Sequence, residues 1–169
     1  MAAYERGDYT NALGAWIPLA ERGNTDAQYN LGVMYYAGKG VRRDYPEAVR
    51  WYRKSAEGGN AFAQARLAAM YQQGLGLPQD DEEAFSWYCK AAEQDHHFAQ
   101  YNLGLMYERG HGVVRDLVLA YKWFELAAMH AEPGYFRTNA LRGRDRLVPR
   151  MTAAEVESAR RMAKEWARK

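Results

Sequence analysis

The sequence states one pattern three times at a fixed interval, and this period limits the chain to a repeat architecture. The fullest copy covers residues 27–59 and reads AQYNLGVMYYAGKGVRRDYPEAVRWYRKSAEGG. Positions 36 residues apart carry the same residue type in all three copies: Leu31, Leu67 and Leu103; Met34, Met70 and Met106; Tyr35, Tyr71 and Tyr107; Gly38, Gly74 and Gly110; Gly40, Gly76 and Gly112; Asp44, Asp80 and Asp116; Ala48, Ala84 and Ala120; Trp51, Trp87 and Trp123; Ala56, Ala92 and Ala128. Such a period is typical of a solenoid, in which each repeat buries its apolar face against its neighbours.

Each copy opens with a predicted amphipathic helix, helix A, which ends at a G-x-G sequence. Asp26 is placed to cap the first of these helices, and glycine favours the left-handed backbone that stops a helix. The same reasoning predicts A helices over residues 61–73 and 97–109. The buried stripe of the first copy follows the i, i+4, i+7, i+8 spacing of one helix face and consists of Ala27, Leu31, Met34 and Tyr35.

A second helix, helix B, follows in each copy. Asp44 with Glu47, and Asp80 with Glu83, have the three-residue spacing of a capping box. In the third copy Asp116 remains as the cap. The sequence predicts B helices over residues 45–58, 81–94 and 117–130, with small alanines where the helix axes approach and with Trp and Tyr supplying most of the buried area.

The repeat pattern weakens at both ends of the chain. A helix over residues 9–22 has the features of a B helix from an earlier repeat, and only the last turns of its partner remain, at residues 1–6. We therefore expect the natural chain to continue upstream, or a signal to have been removed there. After residue 132 a fourth repeat decays: Pro133 suits a first helical turn, and Thr152 with Glu155 predicts a capping box for a last helix that ends near Arg168.

These signals divide the chain into five segments. A partial repeat covers residues 1–25, and three full repeats cover 26–60, 61–96 and 97–132. Residues 133–169 form a degenerate repeat with a C-terminal capping helix.

Composition excludes several classes of protein. With 48% hydrophobic and 26% charged residues, the chain has ordinary globular content. No apolar run reaches the length of a membrane span. The single Cys89 excludes an intramolecular disulfide framework, and we expect it to be a small buried hydrophobe instead of a reactive thiol.

The repeated residues resemble the Sel1-like repeat, a 36-residue relative of the tetratricopeptide repeat. The matching pattern is A-Q-Y-N-L-G-x-M-Y-x-x-G-x-G-V-x-x-D-x-x-x-A-x-x-W-Y-x-K-x-A-E-x-G, which residues 27–59, 63–93 and 99–128 follow almost in full. Departures include Ala68-Ala69, Leu77 and Gln94-Asp95. The resemblance implies an all-α, right-handed superhelix of antiparallel helix pairs. It also implies a non-enzymatic scaffold or adaptor that binds a protein or peptide in a concave groove lined by the A helices.

The resemblance implies that a second stripe of each A helix faces this groove. Its candidate binding residues are Tyr29, Val33, Tyr36, Phe62, Phe98, Tyr101, Leu105, Glu108, Arg137 and Arg144. Phe62 and Phe98 have an equally weighted alternative role in packing between repeats. Large amphipathic rings are common anchors of protein interfaces, so we expect alanine at Tyr29, Tyr36 and Tyr101 to abolish binding and leave the melting temperature nearly unchanged.

Three alternatives remain open. The chain is a regulatory or accessory module of a larger protein whose catalytic part lies elsewhere, or it forms a homodimer through the exposed N-terminal half repeat. Otherwise the basic C-terminal tail, with ten Lys and Arg against four Asp and Glu after residue 136, binds an acidic protein, an anionic lipid surface or nucleic acid. A solvated capping face explains this tail as well, and nucleic acid is the least expected of its partners.

The sequence offers no chemistry-bearing constellation. His96 and His97 are adjacent, His111 lies between loop glycines, and no H-x-x-x-H spacing occurs. The G-x-G sequences follow helices, whereas phosphate-binding loops join a strand to a helix. We therefore expect no catalytic residue, no metal site and no cofactor.

Overall fold

The sequence folds into consecutive α-helices joined by short turns. The structure is a computed structural model that describes residues 7–168, and the last turns predicted at residues 1–6 lie outside this range. Over these described residues it has no strand, one 3-10 turn at Val148–Arg150 and nine α-helices: α1 Tyr9–Glu21, α2 Thr25–Ala37, α3 Tyr45–Glu57, α4 Ala61–Gln73, α5 Asp81–Ala92, α6 His97–Arg109, α7 Leu117–His130, α8 Tyr135–Leu147 and α9 Ala153–Trp166.

The repeat pattern located these helices well. Helices α4, α6 and α7 begin and end at the predicted residues, and the other predicted limits differ by two residues or fewer. The alanines predicted at close helix contacts are all buried, as are the three repeated tryptophans. Periodicity located the helices because each one must bury a fixed stripe of side chains.

The N-terminal unit, which ends at Asp80, packs its helices in chain order, α1 on α2, α2 on α3 and α3 on α4. One cluster in it joins Trp16 of α1 to Leu31 and Met34 of α2 and to Trp51 of α3. Gly32 of α2 lets the Tyr52 ring pack against the helix backbone, because a Cβ there would lie 2.5 Å from the ring.

The C-terminal unit, from Asp81 onward, is built around α7. This helix contacts α6, α8 and α9, and it buries side chains on nearly every face, as a helix surrounded by others must. Phe124 of α7 is fully buried. Its ring lies between Gly104 of α6 and Gly143 of α8, where a Cβ would approach it to 2.7 and 2.9 Å.

The predicted cap of the first A helix was wrong. Asn24, not Asp26, is the N-cap of α2, and its Oδ1 accepts a hydrogen bond from the Ala27 N–H at 2.8 Å. Asn60 and His96, each 36 residues further on, cap α4 and α6 in the same way. Asp26 instead accepts a hydrogen bond from the Asn60 side chain at 3.0 Å, so a residue of the first helical turn ties two A helices together.

In the first repeat, the B-helix cap forms only half of the predicted capping box. Asp44 accepts from the Glu47 N–H at 2.9 Å, but the Glu47 carboxylate accepts from Arg50 and from Trp51 Nε1. The Glu47 carboxylate is not needed at the cap, because the Asp44 N–H already donates to the Tyr35 carbonyl at 3.0 Å. The Asp116 N–H donates likewise to the Tyr107 carbonyl, which explains why the third copy dispenses with a glutamate.

The last two helices show one correction and one confirmation. Pro133 is not in a first helical turn, because α8 begins only at Tyr135. Its N-cap, Gly134, has a φ of 151°, which is not a helical conformation. The predicted capping box of the last helix is confirmed, with Thr152 and Glu155 bonded reciprocally.

A buried glutamine links consecutive helices in every repeat, a role that no local pattern in the sequence indicates. The Nε2 atom donates to the carbonyl of a residue eight positions earlier, in the last turn of the preceding helix. The bonds run from Gln28 to Ala20 at 3.0 Å, from Gln64 to Ala56 at 3.1 Å and from Gln100 to Ala92 at 3.3 Å. Buried polar groups need partners, so the glutamine fixes the register of one helix on the next.

Removing one of these bonds should weaken the fold measurably. Gln64→Met keeps the side-chain length but removes the donor, and we expect a loss of about 1 kcal/mol in the free energy of unfolding, the usual net value of a hydrogen bond. Urea unfolding followed by circular dichroism measures it. Gln73→Met, at an exposed position of the same helix, is the control and should change stability by less than about 0.5 kcal/mol.

Candidate functional site

In the N-terminal unit, the predicted binding stripe forms a partly exposed aromatic surface on α2 and α4. The Phe62 ring is 57% exposed and lies 6.0 Å from the half-buried ring of Tyr29, which rests in turn on Tyr52 at 5.8 Å. Val33 is also half-buried. Tyr36 packs at 5.4 Å against Tyr45 of α3. We call Tyr29, Val33, Tyr36 and Phe62 the N-terminal aromatic surface.

In the C-terminal unit, two residues of the predicted stripe belong to the packing of the unit. The Tyr101 ring lies 5.6 Å from Phe124, and Tyr101 and Leu105 both pack against the core cluster that contains Phe124 and Leu147. Alanine at Tyr101 is therefore expected to lower stability, unlike alanine at the more exposed positions. This packing alters the expectation that its replacement leaves the melting temperature unchanged.

Phe98 belongs to an aromatic cluster, and it is the one member of that cluster in the predicted stripe. Phe136 of α8 lies edge-on to Phe98 at 5.9 Å and to His97 at 5.6 Å, and Tyr135 lies 5.5 Å from Phe136. Tyr135 is 78% exposed and Phe136 is 40% exposed. The only signal in the sequence was an aromatic pair after Pro133-Gly134. We call His97, Phe98, Tyr135 and Phe136 the C-terminal aromatic surface.

The charged residues of the predicted stripe differ in their surroundings. Arg144 donates to Glu125 at 2.8 Å and to Asp145 at 2.7 Å, while Arg137 is exposed. Glu108 is only 9% exposed and accepts hydrogen bonds from Arg146 and Arg150. In the sequence, Glu108 belongs to the predicted stripe and the two arginines belong to the basic tail, and the fold brings them together.

Comparison with known proteins identifies the repeat. A family model described as the Sel1 repeat matches residues 25–60, 61–96 and 97–131, which is more than half of the chain. The chain belongs to the Sel1 repeat family. Together with the helices described above, this match confirms the predicted all-α solenoid of helix pairs.

Two solved structures support the assignment. A Sel1 repeat protein from Oxalobacter formigenes is 31% identical over 86% of this chain, with a TM-score of 0.79. The protein c5321, a protective antigen present in uropathogenic Escherichia coli strains and displaying an SLR fold, is 30% identical over 93% of the chain, with a TM-score of 0.56. The chain spans 56% and 40% of the lengths of these two proteins. No significant match to a curated protein was found.

Membership of this family gives a general function. Sel1 repeat proteins are in general scaffolds for protein interactions.

None of the helices between residues 7 and 168 has the length and apolar character needed to cross a bilayer.

The histidines that the sequence singled out have structural neighbours. His96 Nδ1 accepts from the Ala99 N–H at 3.4 Å at the start of α6, and the His96 and His97 rings are stacked at 5.7 Å. His130 Nδ1 lies 3.0 Å from Gln100 Oε1, so it meets the oxygen of the glutamine that links α6 to α5. Residues 7–168 contain no group of three or more His, Cys, Asp or Glu side chains that could hold a metal ion.

Cys89 is expected to react slowly in the folded protein. Burial, and after it the nearby Glu93, raise the pKa of the Cys89 thiol to about 11 from an ordinary value of 9.0. Two pKa units lower the thiolate fraction near pH 8 by about a hundredfold, and the greater nucleophilicity of a thiolate with a higher pKa offsets part of this loss. Alkylation by iodoacetamide should therefore be slower than in the urea-unfolded chain by about tenfold or more. Equal rates in the two states would contradict the burial of this thiol.

The same shift predicts how stability depends on pH. Because the folded pKa lies above the unfolded one, the contribution of Cys89 is present below pH 9 and is lost as the pH rises toward 11. A Cys89→Ser variant lacks this titration. Between pH 9 and about pH 11, its free energy of unfolding should therefore fall less steeply with pH than that of the wild type.

Proposed function

We propose that this protein is a non-catalytic interaction module that binds a segment of another protein through its exposed aromatic surfaces. The N-terminal aromatic surface and the C-terminal aromatic surface each present exposed rings that can make such contacts. Both include residues of the A-helix stripe that the sequence predicted, and the C-terminal surface adds Tyr135 and Phe136.

The observation that carries this proposal is the exposure of large aromatic rings beside one another. Phe62 and Tyr135 leave more than half of their surface in water, although each touches another ring. Adjacent exposed aromatic side chains are favourable anchors, because they bury a large area on binding and lose little conformational entropy. A protein segment laid across them would bury that area.

Panning a random dodecapeptide display library against the full chain tests the proposal. We expect the selected peptides to lose at least about tenfold in affinity on Phe62→Ala or on Tyr135→Ala, since interface anchors contribute more than about 1 kcal/mol each. Stability should change by less than about 0.5 kcal/mol, because both side chains are exposed.

Met129→Ala is the matched control, because Met129 is a large apolar side chain, 49% exposed, on the B helix α7. It should bind the selected peptides as the wild type does. Peptides that bind Phe62→Ala, Tyr135→Ala and Met129→Ala as tightly as they bind the wild type would place the interaction on another surface and contradict the proposal.

The chain spans about half the length of the solved structures that it matches. One further hypothesis has support from an exposed helix face. Self-association through α1 is favoured by the exposed Ile17 and Leu19 on that helix. Light scattering at two concentrations tests it, and a mass that stays that of a monomer at both would reject it.

A further inference from the structure

Four arginines and one buried glutamate line the same depression in the C-terminal unit. The open depression measures about 500 Å³, the glutamate is Glu108, and the arginines are Arg109, Arg115, Arg146 and Arg150. The four come from the end of α6, the α6–α7 loop, the end of α8 and the 3-10 turn. We call this depression the arginine pocket.

Glu108 holds two of the four arginines in place. Arg146 donates from Nε to Oε1 at 3.1 Å and from Nη2 to Oε2 at 2.5 Å, which is the bidentate fork of a guanidinium on a carboxylate. Arg150 donates from Nη1 to Oε1 at 3.2 Å. The hydrogen bond to Glu108 raises the pKa of Arg146, so this guanidinium stays charged at any physiological pH.

The pocket keeps an excess of positive charge and of hydrogen-bond donors. Its four guanidinium groups carry five N–H donors each, whereas Glu108 accepts three hydrogen bonds. Arg109 and Arg115 have no hydrogen-bonded carboxylate among residues 7–168. Arg144, by contrast, is neutralised by Glu125 and Asp145. The pocket therefore holds four guanidinium groups against one carboxylate.

The geometry points to a binding site for an acidic segment of a protein partner, whose carboxylates the arginine pocket receives. A carboxylate already fits these guanidinium groups, as the Glu108–Arg146 fork demonstrates. The depression is large enough for several side-chain carboxylates, since sites of about 300–1,000 Å³ hold drug-sized ligands.

Other anionic macromolecules fit the pocket less well. The five residues that line it include no aromatic ring on which a nucleic acid base could stack. They also include no apolar side chain that could enter the acyl region of a membrane. The inference rests on the proposed role in protein binding, and it adds the chemistry of the partner.

Fluorescence anisotropy with a labelled hexaglutamate peptide tests the inference on the full chain. We expect binding that weakens from low to physiological ionic strength. The double variant R109Q/R115Q removes two charges without breaking a hydrogen bond to Glu108, and it should lower the affinity at least about tenfold, the loss typical of removed charge-assisted contacts.

The control variant R66Q/R142Q removes the same net charge at two exposed arginines outside the pocket, and it should bind within about twofold of the wild type. An equal loss in both double variants would show a response to net charge alone and overturn the inference. Tighter binding of phosphatidylglycerol vesicles or of single-stranded oligothymidylate than of hexaglutamate would also overturn it. Displacement of the peptide by an equal concentration of inorganic phosphate would show a site for any small anion and would also overturn the inference.

This result is separable from the test of the aromatic surfaces. Phe62→Ala and Tyr135→Ala leave the arginine pocket intact, so hexaglutamate binding should survive both. The affinity of the panned peptides can be unchanged by the aromatic variants while the affinity of hexaglutamate falls in R109Q/R115Q. In that case the aromatic proposal fails and the inference about the pocket stands.

Discussion

Phe124→Ala should destabilise the protein by about 3–5 kcal/mol, the usual cost of truncating a fully buried phenylalanine. The ring is inaccessible to solvent and is held between the backbones of α6 and α8 at Gly104 and Gly143. Helix backbones on two sides cannot collapse into the space that the ring leaves, so a cavity remains. For a chain of this size the melting temperature should fall by about 6–20 °C.

Chemical denaturation followed by circular dichroism measures this loss, and Tyr135→Ala is its control. Tyr135 also carries an aromatic ring in the C-terminal unit, but the ring is 78% exposed, so its removal should cost less than about 0.5 kcal/mol. A cost below about 1 kcal/mol for Phe124→Ala would mean that α6 and α8 do not close on this ring as the structure has them.

Gly76→Ala should cost about 2–5 kcal/mol, although it adds a single methyl group to an exposed turn. Gly76 has φ of 77°, a conformation that costs a residue with a Cβ about 1–2 kcal/mol. Its Cβ would also lie 2.5 Å from the carbonyl carbon of Tyr45 at the start of α3. Backbone atoms cannot rotate away, and such overpacking costs typically about 1–3 kcal/mol more.

Gly59→Ala separates these two contributions. Gly59 has φ of 90°, but nothing lies within 4 Å of the position that an added methyl group would take, so only the conformational cost of about 1–2 kcal/mol applies. The difference between the two variants in urea unfolding measures the close approach of the turn to α3. Equal costs would show that the second glycine of the G-x-G sequence is there for its backbone conformation alone.

The two glycines of G-x-G therefore have separate reasons, and the sequence predicted only the first. Gly74 ends α4 in the left-handed conformation, which the position after a helix predicted. Gly76 is required by contact with the start of α3, which belongs to the preceding repeat, and no local pattern indicates that contact.

The sequence likewise predicted only part of the candidate site. The A-helix stripe could be written down from helical spacing and the family resemblance, and that route reached Tyr29, Phe62 and Phe98. It could not separate Tyr101, which packs on Phe124, from rings that remain exposed. The exposure of a side chain depends on which neighbour covers it, and that neighbour can lie anywhere in the chain.

What the sequence determined by itself was the repeat: its 36-residue period, its helix limits and the caps at Asp44 and Thr152. Those features depend on residues within one or two helical turns, where spacing in the sequence is distance in space. Only the tertiary structure decided that the Asp44 N–H bonds to α2, that a glutamine of each repeat bonds the preceding helix, and that Glu108 meets Arg146. Each of these contacts joins groups on two different elements, and helix packing, not local spacing, sets that distance.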